Sequence, residues 1–411
     1  MKCVLHIGTE KTGTTILQEW LYLNKNVLSA NGIFLSKKIG MPNNRLIAAY
    51  FSSELDDWAK TQKIKTKNEK NKFFKDFLKK LSTEIKNASK KHKYFIISSE
   101  HLHSRLKNHE EISALYKFLK SNFSSIEVIC YFRNQYDVAV SLYSTSLKEN
   151  NSSSLNYFID QINENTHYYN YLKIANLWSN VFGKDNCNFK IYDRNKFIDQ
   201  DIRKDFIGNI KNSIQLDDFD YSNFSANESL GSLRGVAYKQ INKFIPMWPK
   251  NGLGRNNENI KAKKLLSKLK SLDKGKIQST KYYSLQKKFD NSNEDFFKKY
   301  FNKANQFKAD PKKNIKLEKE LISLCDVEKI IDDLIKLVFS LSKENQVTNS
   351  NELENSEIDF MRDLALNLYN RNKNNIDISL KLMEIAEKGR PEGILIKTKI
   401  KEWKQLLKNE K

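Results

Sequence analysis

The sequence predicts a three-layer α/β domain, in which helices cover both faces of a parallel sheet, followed by a helical C-terminal extension. Short apolar runs alternate with segments of helical periodicity across the first half of the chain. These runs are almost continuously apolar, as is typical of parallel strands that are buried on both faces. After about residue 215 the strand pattern fades and helical periodicity remains.

The elements of the predicted core follow one another regularly. Five runs are predicted as strands: CVLHI (3–7), GIFL (32–35), YFIIS (94–98), IEVICYF (126–132) and CNFKIY (187–192). Apolar residues recur at spacings of three and four in the segments around them, which indicates helices. The predicted helices cover roughly 13–28, 43–60, 70–91, 109–122, 135–149, 167–182 and 201–211. Strands and helices that alternate in this way favour a layered α/β architecture.

The rest of the chain is predicted to be helical. The main domain is expected over residues 1–345, with an α/β core at about 1–215 and a mostly helical part at about 216–345. A polar, Asn- and Ser-rich stretch predicts a linker at 346–357, and a small helical segment follows at 358–411. The helices predicted after residue 215 lie at 291–307, 318–342, 358–370, 376–389 and 391–407, with a loop at 248–257.

The composition excludes several classes of protein. Charged residues make up 29% of the 411 residues, and no apolar run approaches the roughly 18–20 residues that span a bilayer. The apolar run before Gly8 is too short for the core of a signal peptide. The four cysteines are far apart and form no CxxC pair, so they are expected to be thiols and not a metal site. We therefore expect a cytoplasmic protein without a metal.

The formal net charge of +22 has two interpretations, a generic lysine-rich surface or a nucleic-acid site. Lysines fill the outer face of predicted amphipathic helices, and no nucleic-acid-binding motif is visible. We therefore expect no dedicated nucleic-acid site. The charge favours anionic cofactors and substrates and would allow peripheral contact with a membrane.

The segment HIGTEKTGTT, which begins at His6, lies where a phosphate-binding loop is expected, between the first strand and a helix. Gly8 and Gly13 allow the backbone to turn tightly, so that amides and the helix N-terminus can face one anion. Lys11 adds a charge, and hydroxyl donors come from Thr12, Thr14 and Thr15. This makes the predicted domain P-loop-type, but Thr14 stands where the nucleotide-kinase pattern has its lysine.

A second polar segment, YFRNQYDVAVSLYS, begins at the end of the fourth strand. Arg133 leaves this strand at the carboxyl edge of the sheet, where α/β proteins bind their ligands. Ser141 lies eight residues further on, in the second turn of a predicted helix. A guanidinium and a hydroxyl that converge there could hold a second phosphate.

Together the two segments resemble the sulfotransferases that use 3'-phosphoadenosine 5'-phosphosulfate (PAPS), in particular bacterial, carbohydrate-type members. KTGTTIL (11–17) is similar to their 5'-phosphosulfate loop, K-[ST]-G-T-[ST]-x-L, and RNQYDVAVSLY (133–143) to their 3'-phosphate motif. IISSEHL and NESLGSL also look like segments of the family. The resemblance covers about residues 2–235.

This resemblance implies a role for each matched residue. Lys11 would contact the phosphosulfate and the oxygen that becomes the leaving group, and the loop that follows it would bind the 5'-phosphate. Arg133 and Ser141 would bind the 3'-phosphate. The RKGxxG element of other sulfotransferases is absent, and Arg234 or Arg255 could contribute instead. The loop residues concerned are Thr12, Gly13, Thr14 and Thr15.

The general base is expected at the end of the third strand, in IISSEHLHS. Glu100 is the first choice, because SSE recurs in the bacterial members that this chain resembles; His101 is the second and His103 the third. The alternative role for Glu100 is that of a helix N-cap partner or a member of a structural ion pair. Related sequences often have a histidine after the second strand, where this chain has Asn43 and Asn44.

The predicted function is transfer of a sulfuryl group from PAPS to a hydroxyl or amine of a carbohydrate acceptor. A bacterial surface polysaccharide or its glycolipid precursor is the expected acceptor by analogy with the family. The alternatives are a P-loop kinase for a small metabolite and a non-catalytic binding protein with a sulfotransferase-like domain. The acceptor pocket is expected in the segments 36–60, 145–170 and 225–260, which are rich in aromatic residues.

Overall fold

The computed structural model describes residues 1–210, 218–222, 230–248, 255–273, 275–312, 355–371 and 373–409. The chain divides into two compact units, Met1–Ile330 and Ile331–Lys411. The predicted helix at 318–342 and most of the predicted linker lie outside the described residues. No helix in the described part of the chain has the length and apolar character needed to cross a membrane.

The first unit is built on a five-stranded sheet in the order β2-β3-β1-β4-β5, with every neighbouring pair parallel. The predicted parallel sheet is therefore confirmed. The strands are β1 Lys2–His6, β2 Ile33–Leu35, β3 Tyr94–Ser98, β4 Ser125–Phe132 and β5 Cys187–Ile191.

Fifteen described α-helices accompany this sheet. Those of the α/β core are α1 Thr14–Leu23, α2 Lys25–Ala30, α3 Arg45–Phe51, α4 Asp57–Thr61, α5 Lys67–Phe73, α6 Phe77–Ala88, α7 Glu100–Arg105, α8 His109–Asn122, α9 Gln135–Glu149, α10 Leu155–Asp160, α11 Tyr171–Phe182 and α12 Ile202–Ile210. Three more follow it: α13 Ser232–Phe244, α14 Asn257–Ser267 and α15 Tyr282–Phe301.

Helices cover both faces of the sheet because successive side chains of a strand point to opposite sides. In β1, Val4 packs with buried residues of α1, α2 and α12, whereas Cys3 and Leu5 pack with those of α3, α6, α8 and α11. In β4, Ile129 packs on the same side of the sheet as Val4, and Cys130 packs on the same side as Cys3 and Leu5. The two separate cores give the α/β unit the three layers that were predicted.

Several predicted helices are broken at polar residues. The helix predicted at 13–28 is interrupted at Asn24, whose side-chain amide donates to the Trp20 carbonyl and also to that of Asp220. The helix predicted at 43–60 restarts after Asp56, whose carboxylate caps α4 by accepting from two backbone amides. The helix predicted at 70–91 is divided before Asp76, which has a φ of 60°. In each case a polar side chain or a left-handed residue competes with helix continuation.

A buried polar network fixes α9 against α15. The Gln135 amide, which is fully buried, donates to Asn293 Oδ1 at 2.7 Å and to the Tyr169 carbonyl at 3.2 Å. Gln286 accepts from the backbone amide of Tyr136 at 2.9 Å. Because buried polar groups are costly when unpaired, this network specifies one position for the start of α9.

The second unit contains three described helices, α16 Asn355–Arg371, α17 Ile376–Gly389 and α18 Ile394–Asn409. Its core includes Ile358, Met383 and Trp403, and the Trp403 ring lies 4.9 Å from that of Tyr369. α16 begins at Asn355, within the stretch predicted as a linker.

Candidate functional site

The candidate site lies at the carboxyl ends of β1 and β4, neighbouring strands in the centre of the sheet. The chain leaves β1 towards β2 on one side of the sheet and leaves β4 towards β5 on the other. Such a reversal opens a crevice in which α/β proteins bind their ligands. The loop between β1 and α1 and the start of α9 both border this crevice.

The loop after β1 is held to β4 by the backbone. The amide of Tyr131 donates to the Gly8 carbonyl at 2.7 Å, and the amide of Thr9 donates to the Tyr131 carbonyl at 2.9 Å. Gly13, with a φ of 75°, precedes α1, and no side chain caps the helix. The first turn of α1 contains no acidic residue, so its free amides and positive dipole end can face an anion.

The three threonines of the loop have different roles. Thr14 and Thr15 line the crevice, and their predicted contacts with a phosphate stay a prediction. Thr12 is fully buried, and its hydroxyl donates to the Thr9 carbonyl at 2.6 Å. The expectation that Thr12 offers a hydroxyl to a ligand is therefore wrong, because that hydroxyl stabilises the turn of the loop.

Lys11 directs its ammonium group across the crevice. It adopts a left-handed backbone conformation, with a φ of 66°, and its Nζ donates to Thr145 Oγ1 at 2.6 Å. Burial lowers the pKa of Lys11, while the carboxylates of Glu10 and Glu100 act in the opposite direction. An anion bound here would stabilise the charged form of the ammonium group.

Arg133 joins the two predicted phosphate motifs. Its Nη1 donates to the carbonyl of Lys11 at 3.1 Å, and its guanidinium carbon lies 5.6 Å from the centre of the Tyr192 ring. Asp137 is only a loose partner, with 4.0 Å between Oδ2 and the Arg133 Nε. Ser141 lies in the second turn of α9 and lines the same crevice.

The crevice is a cleft of about 580 Å³, which we call the basic cleft. A neighbouring cleft of about 740 Å³ shares Arg133, Tyr192 and Arg194 with it. Cations outnumber carboxylates among the lining residues, which favours an anionic ligand. The basic cleft is lined by Glu10, Lys11, Gly13, Thr14, Thr15, Ile16, Glu100, Arg133, Ser141, Ser144, Thr145, Lys148, Tyr192 and Arg194.

Glu100 is the predicted base that borders the basic cleft. Burial raises the pKa of its carboxyl, and a hydrogen bond from Gln18 opposes that rise. Gln18 Nε2 donates to Glu100 Oε2 at 2.6 Å and to the Ser98 carbonyl at 3.2 Å. A β-carbon at Gly8 would lie 3.0 Å from the Glu100 Cα, so the loop approaches the base as closely as only glycine permits.

The two histidines after Glu100 lie outside the lining of the basic cleft. His101 Nε2 is 3.5 Å from Asn43 Nδ2, and burial lowers the pKa of His101 to about 4. His103 is fully buried and stacks on His167 with 5.7 Å between the ring centres. His103 is therefore a core residue, too deep to meet an acceptor.

Several lining residues were missed by the sequence analysis. Ser144, Thr145 and Lys148 follow Ser141 at spacings of three, four and seven, so the helical periodicity of α9 could have found them. Arg194 follows the end of β5, and the same edge rule that identified Arg133 applies to it. The other missed residues are Glu10, Ile16 and Tyr192.

The two other arginines considered for phosphate binding have structural partners. Arg234, which is buried, donates to Asp273 at 2.6 Å and to the carbonyls of Leu266 and Leu269. Arg255 donates from Nη2 to both carboxylate oxygens of Glu149, at 3.0 and 3.1 Å. Neither arginine lines the basic cleft.

Most aromatic residues considered for the acceptor pocket are packed. Tyr50 contacts Phe51, Phe74 and Phe77, with ring centres 5.0–5.3 Å apart. Tyr168 donates its hydroxyl to Glu10 at 2.8 Å and thereby fixes a carboxylate at the rim of the basic cleft. Tyr157 differs, since 59% of its surface is exposed.

No cluster of three or more His, Cys, Asp or Glu side chains that could hold a metal occurs among the residues that the structure describes.

No family model matches the chain, and no solved structure matches it. Over 208 residues the chain is 26% identical to an uncharacterized protein of Archaeoglobus fulgidus, which covers 49% of this chain. The aligned segment is 52% of that relative, so the chain spans about half the length of this curated protein.

Proposed function

We propose that this protein is a sulfotransferase, which transfers the sulfuryl group of PAPS to a hydroxyl or amine of a carbohydrate acceptor. The observation that carries the proposal is the meeting of two anion-binding elements in one cleft. The loop of Lys11 and the pair Arg133 and Ser141 lie 122 or more residues apart in the sequence, yet Arg133 donates directly to the Lys11 carbonyl. A ligand with two separate phosphates suits this arrangement better than a single phosphate does.

The donor set of the basic cleft fits PAPS in its chemistry. The open N-terminus of α1, with Thr14 and Thr15, would bind the 5'-phosphate. Arg133 and Ser141 would bind the 3'-phosphate, and Arg194 would add a second guanidinium in place of the missing RKGxxG element. Within the described part of the chain, the exposed Arg194 side chain makes no hydrogen bond or ion pair, which leaves its donors for a ligand.

In the proposed reaction, the acceptor oxygen forms a bond to sulfur while the bond from sulfur to the bridging phosphate oxygen breaks. The departing electron pair stays on that phosphate oxygen, and the Lys11 ammonium would stabilise the charge that develops there. The acceptor proton would pass to Glu100. The hydrogen bond from Gln18 would hold Oε2 of Glu100 and leave Oε1 as the proton acceptor.

A raised pKa suits Glu100 to this role, because a stronger base takes a proton more readily once it is ionised. Lys11 favours the ionised form of Glu100. Glu10, the other carboxylate at the cleft, already accepts from the Tyr168 hydroxyl at 2.8 Å and lies 3.8 Å from Arg105 Nη1. These partners make Glu10 a less available base.

The test is a calorimetric titration with adenosine 3',5'-bisphosphate, the desulfated product, compared with AMP and with ATP and Mg²⁺. We expect the bisphosphate to bind at least ~10-fold more tightly than AMP, because each hydrogen bond to a charged group contributes about 1.5–3 kcal/mol. Binding of ATP with Mg²⁺ alone would instead indicate a small-metabolite kinase. Binding of the bisphosphate without transfer of radiolabelled sulfate to any saccharide would indicate a non-catalytic protein.

Lys11→Ala and Arg133→Ala should separate the two halves of the donor site. Lys11→Ala should weaken both AMP and the bisphosphate, whereas Arg133→Ala should weaken only the bisphosphate. Lys79→Ala removes an exposed lysine of α6 that does not line the cleft, and it is the charge-matched control. Equal weakening of all ligands by the control would mean that general surface charge explains the binding.

A further inference from the structure

We infer that Lys148 binds the sulfuryl group of the donor, as a second ammonium beside Lys11 at the reacting end of the basic cleft. The inference rests on the proposed function and adds a residue to its catalytic machinery. Neither phosphate motif includes Lys148, which lies at the far end of α9 from Arg133. It lines the same cleft as both motifs.

The positions on α9 form a series along one face of the helix. Ser141, Ser144, Thr145 and Lys148 all line the basic cleft, at spacings that place them above one another. With a rise of 1.5 Å per residue, Thr145 lies about 6 Å beyond Ser141 and Lys148 about 4.5 Å further. The Lys11 ammonium meets this series in the middle, because its Nζ donates to Thr145 Oγ1 at 2.6 Å.

This series matches the order of groups in the proposed donor. Ser141 is the site of the 3'-phosphate, and Lys11 is at the bridge between the 5'-phosphate and sulfur. Among the described residues of α9 that line the cleft, the next cation after this point is Lys148, and the sulfuryl group would extend towards it beyond the bridge. Its ammonium can donate to the peripheral oxygens of that group without losing a proton.

The electrostatics of the lysine pair support an anion between them. Burial lowers the pKa of Lys148, and the charge of Lys11 lowers it further. A bound anion would relieve the repulsion between the two lysines and favour the charged form of both ammonium groups.

In the transfer step Lys148 forms and breaks no covalent bond. Sulfur exchanges one oxygen partner for another, Glu100 takes the acceptor proton, and the departing phosphate keeps the electron pair.

The experiment compares two ligands that differ only in the sulfuryl group, PAPS and adenosine 3',5'-bisphosphate, by calorimetry without acceptor. Lys148→Met should weaken PAPS about 10-fold, the value of one hydrogen bond to a charged group, and the bisphosphate less than ~2-fold. Lys11→Met should weaken both ligands. Lys148→Gln repeats the measurement with a neutral amide in case the methionine variant does not fold.

The outcomes separate this inference from the proposed function. If wild-type protein binds neither ligand, the proposed function fails. If the wild type binds both and the Lys148 variants weaken them equally, or weaken neither, Lys148 does not contact the sulfuryl group and the inference is overturned. Lys79→Met controls for the loss of one surface charge and should change neither affinity.

Discussion

The hydrogen bond from Gln18 to Glu100 allows a quantitative test of the assigned base. Gln18, with 1% of its surface exposed, donates to Oε2 at 2.6 Å, and Gln18→Leu replaces it with an apolar side chain of similar size. A hydrogen bond to a charged group contributes about 1.5–3 kcal/mol, and one to the neutral acid about 0.5–1.5 kcal/mol. The ionised carboxylate therefore loses about 1–1.5 kcal/mol more than the neutral acid, which equals roughly one pKa unit.

The direction of this change follows from the sign of the shift. Burial already raises the pKa of Glu100, and loss of the Gln18 donor raises it further. The limb on which the rate rises with pH should therefore move up by about one unit. The folded state then binds the proton more tightly, so the free energy of unfolding should decrease with pH more steeply above the ordinary carboxyl pKa.

The assay is the pH dependence of kcat/KM for sulfate transfer, together with urea unfolding at several pH values. Gln161→Leu, which replaces an exposed glutamine at the end of α10, is the matched control and should leave both profiles unchanged. An unshifted rate profile in Gln18→Leu, with normal turnover at high pH, would refute Glu100 as the base. A shift in the unfolding profile alone would mean that Glu100 titrates but does not take the acceptor proton.

Four further predictions concern the same cleft. Gly8→Ala should lower the free energy of unfolding in urea by about 2–4 kcal/mol, because the new side chain is strained at positive φ and its Cβ would lie 3.0 Å from Glu100 Cα. A change below the experimental error would contradict this close approach of the loop. In initial-rate measurements, Glu100→Gln should lower kcat about 100-fold, whereas His101→Gln should change kcat little. A large loss of kcat in His101→Gln with little loss in Glu100→Gln would assign the role of base to His101. Arg194→Ala should weaken adenosine 3',5'-bisphosphate about 10-fold and AMP hardly at all in calorimetry, whereas equal losses would exclude a specific 3'-phosphate contact. Because burial lowers the pKa of Lys11, bisphosphate affinity should begin to fall at a lower pH than an ordinary lysine would allow. Lys11→Arg, which stays charged, should remove this fall.

The sheet could be predicted from the sequence because its signal is local. The strands β1, β3 and β4 are mostly apolar runs that are buried on both faces. The edge strand β5, CNFKI, is half-buried and alternates apolar with polar residues, which is also a local strand signal. The breaks at Asn24 and Asp76 could not be predicted with the same ease. The break at Asn24 depends on a side-chain hydrogen bond to the carbonyl of Asp220, which is distant in sequence. The break at Asp76 depends on one left-handed residue within an otherwise helical pattern.

For the candidate site, the sequence by itself determined which residues have suitable chemistry at the right edge of the sheet: Lys11 after β1, Glu100 after β3 and Arg133 after β4. Only the tertiary structure decided which of them share a cleft and how each side chain is used. Thr12 turns its hydroxyl inward, His103 is enclosed in the core, and Lys148 joins the lining. The physical reason is that edge position follows from strand order, whereas orientation follows from burial and hydrogen bonds between segments that are distant in sequence.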